Sequence, residues 1–361
     1  MVDLRRLMVV GFGNQASTGW RAGVAGRYTH QERQPLEVAS APSATCAPDW
    51  GGRSVNANLA LVIVTDVDAC LVDRETYSHE AAADALEALR RSDVPLVLCS
   101  SKTRAELIAL QQTLGIAHPF ISENGGAVDV PVGYYPFEIP GAVRHGAYDT
   151  IALGRPYQHV VEVLRRAAEE AGVPVVGFND MSVEEVSADC GLPLSLARLA
   201  KERSYDEPFR VVGARAGARD RLHLALQLAG LFPTAGGRYD HATGGTDKGK
   251  ATRLVGRLFG RLLGDVLIAG LGDGLNDVPM LCSVDIPVVV RSASASATAR
   301  VLKGVPGARV TRGLGPAGWR DAVLRIVRER GRSLGRGGAT AGRNARTWRS
   351  CVPRPSSEAD A

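Results

Sequence analysis

Two pairs of aspartates follow apolar segments of this chain, a placement that suits metal and phosphate chemistry. Asp66 and Asp68 come after the run LALVIVT, and Asp273 and Asp277 lie in the loop GDGLND, which follows a second apolar run. Such runs are typical of buried parallel strands, whose carboxyl ends meet at one edge of a sheet. Carboxylates gathered there repel one another unless a cation lies between them, and Mg²⁺ prefers oxygen ligands. Capping of a strand end is the alternative for the first pair alone, but the two pairs together predict a Mg²⁺ site.

A serine and a lysine are expected at the same edge. Ser100 ends the apolar run PLVLCSS just before a helix, where hydroxyl and backbone N–H groups bind phosphate oxygens. Lys248 opens a later helix, and because a cation there opposes the helix dipole, it is expected to face an anion. A hydroxyl cap and a solvated lysine are the alternatives. The complete set suits phosphoryl transfer to a carboxylate nucleophile.

Alternating strand and helix patterns position these residues. Apolar runs predict strands at 59–66, 95–101, 119–128, 265–271 and 286–290, and helical spacing predicts helices over 79–93, 103–115, 246–260 and 316–330. This alternation predicts an α/β fold with a doubly wound parallel sheet. The interval 132–237 is too long for a loop and predicts an inserted domain. We expect the core to comprise 59–131 and 238–330, with a disordered extension at 1–58 and a disordered basic tail at 331–361.

The charge of the chain lies mainly at its ends. The 361 residues carry 43 Lys and Arg against 38 Asp and Glu, a formal charge of +5. Residues 1–58 carry +2 and residues 331–361 carry +4, so the body carries −1. Nucleic-acid binding by the body is therefore not expected. No apolar run reaches the ~18 residues that cross a membrane, and six cysteines without a CxxC pair indicate neither a zinc site nor a disulfide framework. These features predict a cytoplasmic protein without a membrane partner.

The order of these motifs carries a family resemblance. Asp-x-Asp, Ser100, Lys248 and GDGLND, in this order, resemble the four motifs of haloacid dehalogenase-like (HAD) phosphatases. Other segments resemble the mannosyl-3-phosphoglycerate phosphatase family: LCSSKTRAE, PFISENGGA, GYYPF, LARLAKERSYDEPF, GGRYDHATGGTDKGKA and GPAGW. The similarity runs from about 59 to 330, three quarters of the chain. It implies a HAD-like Rossmannoid core with an α/β cap domain inserted at 132–237.

The resemblance implies a mechanism and a substrate. Asp66 would attack phosphorus to form an aspartyl-phosphate, and Asp68 would protonate the leaving oxygen and then activate water. Ser100 and Lys248 would neutralise the phosphoryl oxygens. The metal ligands implied are Asp66, the carbonyl of Asp68, Asp273 and, in support, Asp277. The implied substrate is 2-O-mannosyl-3-phosphoglycerate, hydrolysed with Mg²⁺ to mannosylglycerate, a compatible solute.

An anionic glycoside also needs cations and hydrogen-bonding groups. The candidate cations are Lys102, Arg104, Arg203 and Arg238, since arginine in particular suits a carboxylate. Glu123 and Asn124 would bind sugar hydroxyls or order the metal's surroundings, and Asn276 would orient the loop. His241 faces the substrate or is structural, and Asp206 and Glu207 are expected in a local turn or ion pair.

Two departures from the family pattern affect the expected activity. Gly-Thr usually follows the acid pair, where this chain has Ala69 and Cys70. We expect ordinary strand-exit angles at Ala69, and a slower reaction with the metal retained, because a thiol is a weak hydrogen-bond donor. Gly236 and Gly237 precede Arg238 without a hydroxyl, so water is expected in place of a fourth protein ligand.

Other functions remain open at this stage. Glucosyl-3-phosphoglycerate and sucrose-phosphate are close rival substrates, because a few hydrogen bonds to one hydroxyl separate them. A binding protein with basic tails and a weakened catalytic core is the alternative of another class.

Overall fold

The computed structural model describes residues 59–213, 216–235 and 238–336, with side chains as far as Gly331. The predicted disorder of 1–58 and of 337–361, and the expectation for Gly236 and Gly237, lie outside the described residues.

A parallel sheet of five strands carries the aspartate-bearing loops. Its strands are β1 (Ala60–Thr65), β2 (Leu96–Leu98), β11 (Val266–Gly272), β12 (Ile286–Arg291) and β13 (Arg309–Leu314), in the order β13-β12-β11-β1-β2. Thr65 of β1 lies opposite Leu271 of β11, so the residues after these two strands meet at one edge. The predicted doubly wound parallel sheet is confirmed. The edge strand β13 was not predicted, because its residues are largely exposed and lack an apolar run.

Helices cover both faces of this sheet. They are α1 (Ala83–Arg91), α2 (Arg104–Leu114), α7 (Lys248–Leu263), α8 (Val278–Leu281), α9 (Ala295–Gly304) and α10 (Gly315–Arg336). Apolar residues of α1, α2 and α10 form one core cluster with the sheet, and those of α7, α8 and α9 form a second on its other face. α10 continues to Arg336, six residues into the segment predicted to be disordered from 331.

A buried tryptophan joins α10 to the first strand. Trp319 is fully buried, and its indole N–H donates to the Thr65 hydroxyl oxygen at 2.8 Å. That hydroxyl donates to the carbonyl oxygen of Asp66 at 2.8 Å. The last helix therefore supports the backbone at the end of β1.

Two antiparallel sheets occupy the middle of the chain. The first contains β3 (Phe120–Ser122), β4 (Ala127–Pro131), β5 (Val143–His145) and β6 (Tyr148–Ala152), in the order β3-β4-β6-β5. The second contains β7 (Val175–Gly177), β8 (Asp206–Val211), β9 (Phe232–Ala235) and β10 (Asp240–Thr243), in the order β7-β8-β10-β9. Its helices are α3 (Tyr157–Glu170), α4 (Val183–Cys190), α5 (Leu194–Lys201) and α6 (Ala218–Leu228). The domain limits at 132 and 237 remain a proposal; they fall directly after β4 and between β9 and β10.

Two further observations bear on the sequence-based expectations. None of the described helices combines the length and the apolar character that crossing a membrane requires. Cys70, Cys99 and Cys190 are free thiols.

Candidate active site

Adjacent parallel strands bring two aspartates together. Asp66 directly follows β1 and Asp273 directly follows β11, and the two strands are hydrogen-bonded neighbours. Both residues are nearly buried, with exposed fractions of 7% and 8%. The backbone N–H of Asp66 donates to the carbonyl of Leu271 at 2.8 Å, so the sheet ladder extends to the first aspartate.

A lysine from another helix lies between two of the carboxylates. Lys248 is the first residue of α7, which is capped by the Asp247 side chain accepting the Lys250 N–H. Its fully buried ammonium donates to Asp66 Oδ1 and to Asp277 Oδ1, both at 2.6 Å. Asp66, Asp273, Asp277 and Lys248 together are called the carboxylate cluster below.

Asp277 fixes the loop that carries Asp273. Its Oδ2 accepts the backbone N–H groups of Asp273 at 3.0 Å and Gly274 at 2.9 Å, while its Oδ1 holds Lys248. Both oxygens are thus engaged by protein donors. In this arrangement Asp277 orders the loop and the lysine, which leaves Asp66 Oδ2 and the carboxylate of Asp273 as the candidate oxygens for a cation.

The carboxylate cluster has an excess of negative charge. Burial, followed by the charge of Asp277, raises the pKa of Asp66 well above its usual range and that of Asp273 to about 7. Burial alone would lower the pKa of Lys248, but Asp277 and Asp66 raise it, so the ammonium stays charged. Three carboxylates share this one ammonium, and a divalent cation would relieve the imbalance. The oxygen-rich donor set therefore fits Mg²⁺.

Asp68 and Ser100 lie beside a second lysine. Lys102 Nζ lies 3.0 Å from Asp68 Oδ1, and Asp68 keeps 35% of its side chain exposed. The Lys102 backbone N–H donates to the hydroxyl oxygen of the buried Ser100 at 3.2 Å. Lys102 is thus a predicted binding residue that the structure places directly against a predicted catalytic one.

The departure at residues 69 and 70 changes both backbone and chemistry. Ala69 has φ = 60°, so the expectation of ordinary strand-exit angles is wrong. The turn after Asp68 requires left-handed backbone angles. Glycine adopts these angles without a steric cost, whereas alanine adopts them at a cost. Cys70 is fully buried, and its thiol approaches Asp273 Oδ1 at 3.9 Å.

Four predicted binding residues form a buried link between the core and the second antiparallel sheet. Glu123 accepts backbone N–H groups from Ser204, Tyr205 and Asp206 at 2.8–3.0 Å. Asn124 donates to Asp206 Oδ2 at 2.6 Å, and His241 Nδ1 lies 3.0 Å from both oxygens of that carboxylate. Glu123, Asn124, Arg203, Asp206 and His241 are called the bridge cluster below.

Arg203 and Asp206 are the charged centre of the bridge cluster. The Arg203 side chain is 3% exposed and donates to the carbonyls of Asp206 and Ser101 at 2.7 Å. It lies 3.8 Å from Glu123 and 3.6 Å from Asp206. Arg203 is therefore committed to protein partners, and the expected ion pair of Asp206 is confirmed.

Asn276 connects the two clusters. Its side-chain amide donates to Asn124 Oδ1 at 3.2 Å, so the loop that carries Asp273 and Asp277 contacts the bridge cluster.

Arg104 and Arg238 are not brought to the carboxylate cluster by their hydrogen bonds. Arg104 Nε lies 3.0 Å from Asp129, its Nη2 donates to the carbonyl of His145, and its guanidinium stacks over Tyr148. Arg238 donates to the carbonyl of Asp189 at 2.8 Å on an exposed surface.

Sequence reasoning missed one charged neighbour of the site. The Arg74 guanidinium lies 3.7 Å from Asp273 Oδ2 and is 58% exposed. No periodicity or motif signal distinguishes Arg74 from other surface arginines, so only the folded loop identifies it.

Comparisons with known proteins identify a family for this chain. The family model for haloacid dehalogenase-like hydrolases matches residues 63–136. A protein of Methanococcoides burtonii named glucosyl-3-phosphoglycerate/mannosyl-3-phosphoglycerate phosphatase is 38% identical over 74% of this chain and 97% of its own length. Mannosyl-3-phosphoglycerate phosphatase of Pyrococcus furiosus is 33% identical over 63% of this chain and 90% of its own length.

Solved structures share the fold at lower identity. A HAD-superfamily phosphatase of Bacteroides thetaiotaomicron matches with a TM-score of 0.53 and 19% identity, over 77% of this chain and 98% of its own. A HAD subclass IIB sugar phosphatase matches with a TM-score of 0.52 and 18% identity, over 74% of this chain and 99% of its own. The sequence matches and the shared fold together show that this chain, a phosphoric monoester hydrolase, belongs to the mannosyl-3-phosphoglycerate phosphatase family of haloacid dehalogenase-like hydrolases.

Proposed function

We propose that this protein is a Mg²⁺-dependent phosphatase that hydrolyses 2-O-mannosyl-3-phosphoglycerate to mannosylglycerate and inorganic phosphate. The observation that carries the proposal is the meeting of Asp66 and Asp273 at one sheet edge, with the Lys248 ammonium 2.6 Å from Asp66. A buried carboxylate beside a fixed ammonium, with a second carboxylate that could hold a cation, suits attack on phosphorus.

The proposed reaction has two steps. A carboxylate oxygen of Asp66 forms a bond to phosphorus as the bond from phosphorus to the glycerate oxygen breaks, and Asp68 gives its proton to that oxygen. Asp68 then takes a proton from water, which attacks phosphorus and releases phosphate from Asp66. The exposure of Asp68 supports this role, because the proton donor must reach a leaving group that enters from solvent.

Mg²⁺ would be held by Asp66, the backbone carbonyl of Asp68 and Asp273. When bound, it supplies positive charge beside the transferring phosphoryl oxygens. Lys248 and Ser100 add a fixed ammonium and a hydroxyl on the protein side. Asp277 supports the site by holding Lys248 and the N–H groups of the loop.

Glucosyl-3-phosphoglycerate is a second candidate substrate. Its support is specific: the relatives from Methanococcoides burtonii and Persephonella marina carry both substrates in their names. Lys102 is the cation best placed to meet the glycerate carboxylate, since it already lies 3.0 Å from Asp68.

The test is phosphate release by the full chain across mannosyl-3-phosphoglycerate, glucosyl-3-phosphoglycerate and sucrose-phosphate, with and without Mg²⁺. We expect turnover of the phosphoglycerates with Mg²⁺ and none after a chelator. Asp66→Asn should abolish turnover. Asp265→Asn is the matched control, because Asp265 is exposed and precedes β11 at the opposite end of the strand from Asp273.

Two results would count against the proposal. Retained turnover in Asp66→Asn would remove the nucleophile assignment. Turnover of sucrose-phosphate with none of either phosphoglycerate would replace the substrate class.

A further inference from the structure

A sulfur atom lies among the carboxylates that are proposed to hold Mg²⁺. Cys70 follows Asp68 by two residues and is fully buried, with its Sγ 3.9 Å from Asp273 Oδ1. Its thiol is free. No other role proposed above uses this side chain.

Three donor atoms of different residues converge at this point. One ligand atom each of Asp66, Cys70 and Asp273 lies within 4.8 Å of the other two, and all three residues are buried. Within the part of the chain that the structure describes, no other three acidic, cysteine or histidine residues meet in this way. The site thus offers one soft and two hard donors.

The spacing suits a metal that accepts sulfur. A metal bound to sulfur at about 2.3 Å and to a carboxylate oxygen at about 2.1 Å places those two donors about 3.6 Å apart in a tetrahedral site. The observed 3.9 Å between Cys70 Sγ and Asp273 Oδ1 needs only a small adjustment. Mg²⁺ does not use this donor, because it prefers oxygen ligands, whereas Zn²⁺, Cd²⁺ and Co²⁺ accept thiolate.

We propose that this site also binds a thiophilic divalent ion, of the Zn²⁺, Cd²⁺ or Co²⁺ type, through the Cys70 sulfur together with Asp66 and Asp273. The inference rests on the proposed function in that it uses two carboxylates assigned there to Mg²⁺. On binding, a metal–sulfur bond forms and the thiol proton passes to solvent. The ion competes with Mg²⁺ for Asp66 and Asp273, so an excess of it displaces Mg²⁺ from the site.

The test is the absorption spectrum of the metal-stripped full chain during titration with Co²⁺ or Cd²⁺. We expect a sulfur-to-metal charge-transfer band that saturates at one equivalent. Cys70→Ser and Cys70→Thr should both lose the band. Two substitutions are used so that the test still stands if one variant fails to fold. Cys190→Ser is the matched control, since Cys190 is also a free thiol but lies at the end of α4, and it should keep the band.

A competition experiment gives a second readout. Zn²⁺ should displace Mg²⁺, and the Zn²⁺ concentration needed should rise about tenfold or more in Cys70→Thr, because a soft ligand is lost. Saturation with Co²⁺ without a charge-transfer band, or a band that persists in both Cys70 variants, would overturn the proposal.

The design separates this inference from the proposed function. A charge-transfer band that depends on Cys70 supports the inference even if no phosphoglycerate is hydrolysed. Mg²⁺-dependent turnover with no sulfur signal leaves the proposed function standing and removes the inference.

Discussion

The carboxylate cluster and the bridge cluster are two buried ionic groups that differ in how completely their charges are matched. In the carboxylate cluster, three aspartates lie around one buried ammonium, which donates to two of them, and the pKa of Asp66 is raised, first by burial. In the bridge cluster, burial also opposes ionisation, but His241 and Arg203 hold the pKa of Asp206 below its usual value. Glu123 is intermediate: burial raises its pKa although Arg203 and backbone N–H donors oppose the rise.

This difference in charge balance distinguishes a ligand-binding site from a structural contact. A buried ionic group can hold two parts of a fold together when all its donors and acceptors are satisfied. A buried group with unbalanced charge is a candidate ligand-binding site. Asn276 lies in the loop between Asp273 and Asp277 and donates to Asn124, so the bridge cluster holds the loop of the carboxylate cluster.

The largest expected effect is on catalysis, from Lys248→Met. Removing the ammonium leaves Asp66 and Asp277 without their shared cation, and we expect kcat to fall about 10³-fold. Lys250→Met is the matched control, because Lys250 is exposed two residues further along α7 and its ammonium donates to the carbonyl of Gly245. Steady-state phosphate release measures both. Equal losses of kcat in Lys248→Met and Lys250→Met would contradict the role assigned to Lys248.

We expect Arg203→Met to lower the stability of the protein and to have no direct effect on catalysis. It leaves Glu123 and Asp206 buried without their arginine, and we expect the free energy of unfolding to fall by about 3–5 kcal/mol. Urea unfolding measures this change. Arg210 is an exposed residue of β8 and pairs with Asp189. Because this ion pair lies at the surface, Arg210→Met should lower the free energy of unfolding by less than about 1 kcal/mol. A loss of activity in Arg203→Met without a loss of stability would place Arg203 at the substrate instead.

Mg²⁺ should stabilise the wild-type chain through the carboxylate cluster. At a Mg²⁺ concentration 100 times the Kd, we expect about 2.7 kcal/mol of added stability in urea unfolding. Asp273→Asn should remove most of this gain, and Asp265→Asn should keep it. In the absence of Mg²⁺, Asp273→Asn should be no less stable than wild type, because it removes a repelled carboxylate. An undiminished Mg²⁺ effect in Asp273→Asn would contradict the ligand assignment.

A pH dependence should come from Glu207, the neighbour of Asp206 in β8. Tyr157 donates to it at 2.6 Å, and burial raises the pKa of Glu207 to about 6 from an ordinary 4.5. The folded state therefore keeps this proton to higher pH than the unfolded state, so stability is lost as pH rises from about 4.5 to about 6. We expect roughly 2 kcal/mol less at pH 7 from this group.

Glu207→Gln should remove that part of the pH dependence. Glu202→Gln is the control, because Glu202 is exposed. The difference between wild type and variant in urea unfolding at pH 4.5 and pH 7 isolates the contribution. A difference that does not change with pH would show that Glu207 titrates normally.

The smallest effect is expected at Ala69. Glycine relieves its left-handed backbone, so Ala69→Gly should raise the free energy of unfolding by up to about 1 kcal/mol. Ala83→Gly, at the start of α1 with φ = −54°, should lower it by a similar amount or less. Thermal unfolding of both variants measures the contrast, and a loss of stability in Ala69→Gly would contradict it.

Sequence reasoning reached the carboxylate cluster because its members follow apolar strands or open a helix. Asp66 and Asp273 needed only the rule that parallel strands end together. The bridge cluster was not recognisable in this way, since Glu123 and Arg203 are 80 positions apart and neither lies in a periodic pattern. By residue type alone, an arginine and a lysine suit the binding of an anionic substrate equally well. Only the contacts made in the fold distinguish a committed arginine from an available lysine such as Lys102.

The hydrogen bond from Trp319 to Thr65 also bears on when this protein can become active during its synthesis. β1 emerges from the ribosome early, but its neighbour β11 follows some 200 residues later, and the indole that supports Thr65 comes later still. Because domains assemble as the chain is made, the edge that holds Asp66 is completed only after α10 has been made. A nascent chain that stops before α10 would therefore carry all four motifs and still lack the support beneath Asp66.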